Sequence, residues 1–282
     1  LIEIMNLRNN GLNVLEVGCA CGGTLLEINN INPTVNLYGI EINENSANIA
    51  KHIANVSSAN IEKGNLPYEE NFFDYIIFGD VLEHLYNPQK VLENVKPYLK
   101  ENGKIIASIP NIQHWSIIEE LLKGNWTYTD AGILDRTHLR FFTKSEITKL
   151  FCESGYEVQQ YIGKDVGITE SAQNMLEKLS QNLLINNSDD FMAYQWLVEA
   201  CKKDDISDTD KKELVYLLRR LDNDINKEES LNKIRLFILE KDFKYKLVID
   251  LIDISLINKI EVLLEISLNM YNNQKSKNSI QL

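Results

Sequence analysis

Two carboxylates and a glycine-rich turn mark the first place in this chain where chemistry could happen. The run Val14-Leu15-Glu16-Val17-Gly18-Cys19-Ala20-Cys21-Gly22-Gly23 reads as a buried strand that breaks into a turn and opens a helix. Glycine leaves room for a ligand to approach the backbone, and a helix N-terminus puts free N–H groups beside that ligand. The pattern Gly18-x-Ala20-x-Gly22-Gly23 is a poor match to the Gly-x-Gly-x-x-Gly of a pyrophosphate cradle. Glu41 follows Gly22 by 19 positions, where a carboxylate can accept both hydroxyls of an adenosine ribose. Dinucleotide sites and other adenosine sites share that acid. Glu16 separates them: an acid repels a pyrophosphate but favours a ligand carrying an amino group and a sulfonium.

Four histidines supply groups that titrate near neutral pH. His52 reads as a solvated helix residue. His84 follows Asp80 on the rim above an apolar strand, and is either a proton acceptor or a structural cap. His114 and Trp115 follow the next strand on the same side, as substrate contacts or as wall. His138 lies in the polar segment 132–143 with Asp135, Arg136 and Arg140. That segment is either a substrate-contacting, catalytic loop or a lid whose charges pair internally, Asp135 with Arg136 or Arg140. Tyr128, Trp126 and Trp115 either stack on a sugar ring or belong to the core. The acidic runs at 189–190 and 204–205 read as solvated loops.

The elements that must hold these residues alternate along the chain. Strands are expected at 13–17, 35–40, 60–63, 75–79 and 104–109, with helices at 24–31, 43–54 and 88–99 between them and Gly103 as a break. This rhythm predicts a doubly wound α/β fold around a mostly parallel seven-stranded sheet. A helix is expected at 111–124, then irregular chain to 142, then a helix to about 154 opened by the capping box Thr143-x-x-Glu146. Strands at 156–162 and 193–200 without a clear crossover predict an antiparallel edge. After a charged linker, helical spacing at 211–223, 227–241, 245–254 and 258–271 predicts a C-terminal all-helical appendage. The expected domains are 1–203 and 204–282.

The chain has 282 residues, 44% of them hydrophobic and 25% charged, with net charge −12. That sum lacks the basic footprint of nucleic-acid binding and disfavours anionic membrane surfaces. No apolar run reaches membrane-span length and no signal peptide is visible. Cys19, Cys21, Cys152 and Cys201 lack metal-site spacing and read as reduced thiols, which predicts a cytoplasmic protein and no metal. The start at Leu1 predicts an excised domain or a trimmed chain, part of a larger polypeptide or of a complex made through the helical region.

The chain resembles the class I S-adenosylmethionine-dependent methyltransferases, within the group that includes ubiquinone and menaquinone methyltransferases and glycan-modifying relatives. The likeness covers roughly residues 12–203. It is carried by Leu15-Glu16-Val17-Gly18-Cys19-Ala20-Cys21-Gly22, by Glu41 in Gly39-Ile40-Glu41-Ile42, and by Gly64-Asn65-Leu66-Pro67-Tyr68, where the family usually has aspartate. Phe73–Ile77 leading to Asp80-Val81-Leu82-Glu83-His84-Leu85, Leu99–Lys104 and Ser108–Asn111 complete the series. The resemblance implies that Glu16, Gly18, Cys19, Gly22, Glu41, Ile42, Asn65, Leu66, Asp80 and Val81 hold S-adenosylmethionine. His138, His84 and Asp135 become the catalytic candidates, and His114, Trp115, Arg136 and Tyr128 the substrate contacts. Methyl transfer from a sulfonium is an in-line displacement that needs alignment, exclusion of water and a proton acceptor, and no metal. The segment around 135–143 resembles one in glycan-associated members, which implies O-methylation of a sugar, glycan or glycan precursor. An amino group of a glycan or small molecule, and a non-catalytic binding or assembly module, are the alternatives. Ala20 and Glu16 argue against a nicotinamide dehydrogenase.

Overall fold

The computed structural model describes residues 1–64, 66–182, 188–203, 208–222 and 225–241. They divide between two compact units, Leu1–Lys203 and Asp204–Leu282. In the first unit, β1 (Asn13–Val17), β2 (Asn36–Glu41), β3 (Asn55–Ser58), β4 (Phe73–Gly79) and β5 (Leu99–Pro110) run parallel. β6 (Tyr156–Asp165) and β7 (Ala193–Lys202) complete a seven-stranded sheet of order β3-β2-β1-β4-β5-β7-β6. β7 is antiparallel to both β5 and β6, so the antiparallel edge is as expected.

Side chains alternate across the two faces of the sheet, and each face has its own core. Val14, Tyr75, Ile77 and Ile106 pack with α1 (Gly23–Ile31) and α2 (Glu44–Ala50) through Leu25, Ile28, Ala47 and Ala50. Leu15, Val17, Ile76, Phe78, Ile105 and Ala107 form the opposite face with α3 (Pro88–Val95) and α5 (Lys144–Glu153), through Val91, Leu92, Ile147 and Phe151. Coverage on both faces is why the central strands read as unbroken apolar runs. Helix starts follow local chemistry. Asn87 accepts from Lys90 N ahead of Pro88 at 3.0 Å, and Thr143 accepts from Glu146 N at 3.3 Å, so the expected cap is made.

Several boundaries move. The third strand is 55–58, not 60–63. Val56 pairs with Gly39 and is buried, whereas the Asn60 side chain accepts from Glu62 N and makes a turn. Gly103 is not a break but lies within β5, where the register with β4 shifts between Phe73 and Tyr75. A Cβ there would fall 2.9 Å from the Phe73 carbonyl oxygen. The helix expected at 111–124 is α4 (Trp115–Leu122), with His114 as its cap. α6 (Glu170–Asn182) was not anticipated: it is polar, and Ala172 is its buried residue.

In the second unit, α7 (Asp208–Asp222) packs on α8 (Lys227–Lys241). Leu214, Leu217, Leu218 and Leu221 form a helical stripe buried with Leu231 and Ile234. The helices expected at 245–254 and 258–271 lie outside the described residues.

Candidate active site

Strand order reverses between β1 and β4, and open α/β sheets bind ligands in the crevice at such a point, beyond the carboxyl ends of the strands. At the end of β1, Gly18 has φ +70°, and a Cβ on it would fall 2.7 Å from Val81 Cγ2. Gly18 N and Cys19 N both donate to the Ile40 carbonyl, at 2.7 and 3.2 Å, which ties the turn to β2. Ala20 has φ +45°, an uncommon conformation for a residue with a side chain. Its N–H donates to Glu41 Oε2 at 2.9 Å, while Asn43 N donates to Glu41 Oε1 at 2.7 Å. The Glu41 carboxylate is thus aimed by backbone from two loops and keeps lone pairs free for a ligand.

Glu16 is buried, and its Oε2 has no hydrogen-bond partner. Burial pushes its carboxyl up to about 7, partly offset by a hydrogen bond from Thr24. A buried orphan oxygen at a strand end calls for donors from outside the fold. Ile42, beside Glu41, is 68% exposed. Glu16, the ribose-type acid Glu41, the close-approach turn and the open apolar face of Ile42 fit a cationic adenosine ligand. The Cys19 thiol does not join them. It lies in the core against Gly39, where a Cβ would meet its Sγ at 2.7 Å. Burial, with the Glu16 and Glu41 carboxylates adding, pushes it up to about 12. Only the backbone of Cys19 can face a ligand. Leu66 N donates to the Tyr98 hydroxyl at 3.2 Å, and Asn65 lies outside the described residues.

Asp80, at the end of β4, has φ +53°. Its Oδ1 accepts from Ser108 Oγ at 3.0 Å and from Gln195 Nε2. The next turn, Leu82–His84, carries the acceptor side. The Glu83 carbonyl accepts from Leu139 N and Arg140 N at 2.8 and 3.0 Å, and the Arg140 guanidinium donates to the Tyr86 carbonyl at 2.6 Å. These bonds hold segment 132–142 over the strand ends. They bring the His84 and His138 rings to 4.7 Å, edge to face. His138 Nδ1 lies 2.9 Å from the Ile133 carbonyl, and His84 Nδ1 lies 3.2 Å from both Thr137 oxygens.

Asp135 accepts from Thr137 N at 2.8 Å and Thr137 Oγ1 at 2.6 Å, and those bonds hold its carboxyl below its usual range. It positions the loop and pairs with neither Arg136 nor Arg140. Arg136 pairs instead with Asp130 at 2.9 Å. Glu83 is a residue that sequence reasoning passed over. It is 1% exposed, both carboxylate oxygens lack partners, and burial pushes it up to about 8. A lone acid inside the apolar run Val81-Leu82-Glu83-His84-Leu85 was the available signal.

A cavity of about 350 Å³ opens behind the same loop. Six of its eleven lining residues, Ser116, Glu120, Asn125, Thr127, Thr129 and Tyr194, carry polar side-chain groups. Ile133, whose carbonyl meets His138, lines it too. His114 stands behind this wall. It is 1% exposed, caps α4 and packs edge to face on Tyr194. Desolvation lowers its pKa, with Asp165 acting the other way. Trp115 donates its indole N–H to the Gly167 carbonyl at 3.2 Å, and Tyr128 packs on Phe141 at 48% exposure. None of His114, Trp115, Tyr128 and Arg136 lines the cavity.

Residues 2–161 match the family described as "Methyltransferase domain". The chain is 24% identical over 186 residues to demethylmenaquinone methyltransferase of Listeria welshimeri, covering 59% of this chain and 78% of that protein. It is 26% identical over 150 residues to ubiquinone biosynthesis O-methyltransferase of Coxiella burnetii, covering 51% and 63%. A crystal structure of a SAM-dependent methyltransferase from Archaeoglobus fulgidus superposes with a TM-score of 0.49 at 16% identity, covering 68% of this chain and 86% of that one. No helix among the described residues is long and apolar enough to cross a membrane.

Proposed function

From the premise that the chain belongs to the methyltransferase-domain family, and is an S-adenosylmethionine-dependent methyltransferase, we propose that it O-methylates a hydroxyl of a sugar, glycan or glycan precursor. The observation that carries this reading is the cavity behind segment 132–138. Its volume is about 350 Å³, at the small end of small-molecule sites. Hydroxyl, amide and carboxylate groups on its walls match the hydroxyls of a polyol, while Ile117, Ala131 and Leu134 offer apolar contact to a ring face.

When bound, S-adenosylmethionine supplies a methyl group on a sulfonium already activated for in-line displacement. Glu41 accepts from the ribose hydroxyls, Glu16 meets the amine, and Ile42 covers the base. Gly18, Gly22 and the Cys19 backbone admit the amino-acid tail. Asp80, Val81 and Leu66 close the site, and Asn65 is the partner for the adenine amine. The His84–His138 pair draws off the acceptor proton, Asp135 holds the loop through Thr137, and the loop keeps water out. Residues 1–203 form the catalytic domain and 204–282 a helical domain through which partners dock. The reading carries a cytoplasmic location, supported by four cysteines that are not joined in disulfides.

The test is methyl transfer by the purified protein to parallel panels of nucleotide sugars, oligosaccharides and quinols, read as S-adenosylhomocysteine released. Turnover on sugar hydroxyls is expected; turnover on quinols alone overturns the acceptor assignment.

A further inference from the structure

Glu83, His84 and His138 each offer one ligand atom, and these atoms lie within 4.8 Å of one another. From this cluster we infer that the protein binds one divalent first-row transition cation, of the zinc, manganese or iron(II) class, between the turn after β4 and segment 132–142. Binding stands on the cluster alone; the cation's part in catalysis rests on the acceptor-hydroxyl reading above.

Hydrogen bonding sets the proton positions on both imidazoles. The Ile133 carbonyl can only accept, so His138 carries its proton on Nδ1 and its lone pair on Nε2. Nε2 is the atom that faces Glu83, at 4.0 Å. Thr137 Oγ1 gives its proton to Asp135 at 2.6 Å, so both Thr137 oxygens present lone pairs to His84 Nδ1. The His84 proton is therefore on Nδ1 as well, and its Nε2 is free to ligate. An imidazole fixed by a carbonyl, or by a hydroxyl that leads to a carboxylate, is the outer-shell arrangement of metal-binding histidines.

Glu83 is the independent observation. It is 1% exposed with neither carboxylate oxygen partnered, and a buried carboxyl without donors is costly. At 4.0 Å the His138 contact is too long for a hydrogen bond. A cation between the carboxylate and the two lone pairs satisfies all three groups. Two imidazoles and one carboxylate select transition metals over magnesium or calcium, which prefer all-oxygen shells. With metal–nitrogen bonds of about 2.1 Å, tetrahedral ligand atoms sit about 3.4 Å apart. The ligand atoms, within 4.8 Å of one another, reach that spacing by small side-chain rotations.

Three protein ligands leave a position open for the acceptor oxygen. With the cation bound, both imidazole lone pairs are taken and the histidines no longer accept the proton themselves; a hydroxyl placed there loses its proton to solvent instead, because the cation stabilises the negative oxygen. That oxygen then forms the O–CH3 bond as the S–CH3 bond breaks and the electron pair stays on sulfur. Nothing is oxidised or reduced.

The full chain, stripped with a chelator and dialysed, is titrated with Zn2+ by calorimetry and with Co2+ by visible absorption, without donor or acceptor. One equivalent is expected to bind, with d–d bands from nitrogen and oxygen ligands and much weaker heats from Mg2+. Glu83→Gln and His138→Ala are each expected to weaken binding at least tenfold. Thr137→Val keeps all three ligands and the Thr137 carbonyl but removes the hydroxyl contact to His84 and its link to Asp135, and several-fold weaker binding is expected. Circular dichroism and S-adenosylmethionine binding confirm that each variant folds; if a ligand variant does not, Thr137→Val decides. Absence of stoichiometric Zn2+ or Co2+ binding overturns the inference, as does unchanged affinity in Thr137→Val and in a folded His84→Ala/His138→Ala protein. Mg2+ binding as tight as Zn2+ overturns the cation class. These readouts involve no acceptor, so a protein that methylates quinols rather than sugars would still pass or fail them independently.

Discussion

At the ends of β1 and β2 the donor cradle is built mainly from backbone. Gly18 N and Cys19 N bond to Ile40, and Ala20 N and Asn43 N bond to Glu41. On the acceptor side the working contacts are side chains from distant segments. His84 meets Thr137 across 53 positions, and His138 meets Glu83 across the same fold. A backbone cradle tolerates most side-chain changes and fails where φ or a missing Cβ is essential. A side-chain cluster fails at any member, and its loop can change specificity without disturbing the cradle.

The comparison breaks first at His138. His138→Ala should lower kcat by about 10²–10⁴-fold and leave the KM for S-adenosylmethionine within about twofold; a shared loss of donor affinity would show the two halves are one. Glu41→Ala should do the reverse. Two backbone N–H groups lose a charged acceptor, so calorimetry should find donor affinity down roughly a hundredfold. In Gly18→Ala the new Cβ strikes Val81, and urea unfolding should show about 2–3 kcal/mol lost. Adding Val81→Ala should recover only the steric part, because φ +70° remains.

The Glu16 carboxyl is raised from 4.5 to about 7. Between those values the folded chain holds a proton that the unfolded chain has released, so stability falls as pH rises through that window and levels above it. Donor affinity should move the other way, rising about tenfold from pH 5.5 to 7 as the carboxylate forms. Glu16→Gln should flatten the affinity curve in calorimetry and make the stability curve shallower in thermal unfolding, where Glu83, raised to about 8, keeps the remaining slope. The smallest effect is at Ala20. Ala20→Gly removes side-chain strain at φ +45° at the cost of a looser unfolded chain, so the unfolding free energy from urea titration should rise by no more than about 1 kcal/mol.

The central strands were legible because sheet residues covered on both faces leave contiguous apolar runs, as in Tyr75-Ile76-Ile77-Phe78. β3 was not, because Asn55-Val56-Ser57-Ser58 buries only Val56 and its position follows from pairing with β2. α6 was missed although Ala172, Met175, Leu176 and Leu179 keep helical spacing, because the polar residues around them were read as connecting chain. Glu16 and Glu41 were singled out from their spacing to a turn, which is a local property, and the structure brings both to the ends of β1 and β2. His138 was singled out from its polar loop; of the two readings of that loop, the pairing of Asp135 with Arg136 or Arg140 is not made, because its bonds to Thr137 depend on a turn that charge pairing does not reveal.

The sequence by itself determined the doubly wound, mostly parallel sheet with its antiparallel edge, and the glycine-rich turn after its first strand. Each follows from interactions within short segments or between neighbouring strands. Only the tertiary structure decided that Glu83, His84 and His138 converge and that a cavity opens behind segment 132–138. Those contacts depend on the Glu83 carbonyl binding two amides of a loop more than fifty positions away. No periodicity or spacing in a linear chain encodes that bond.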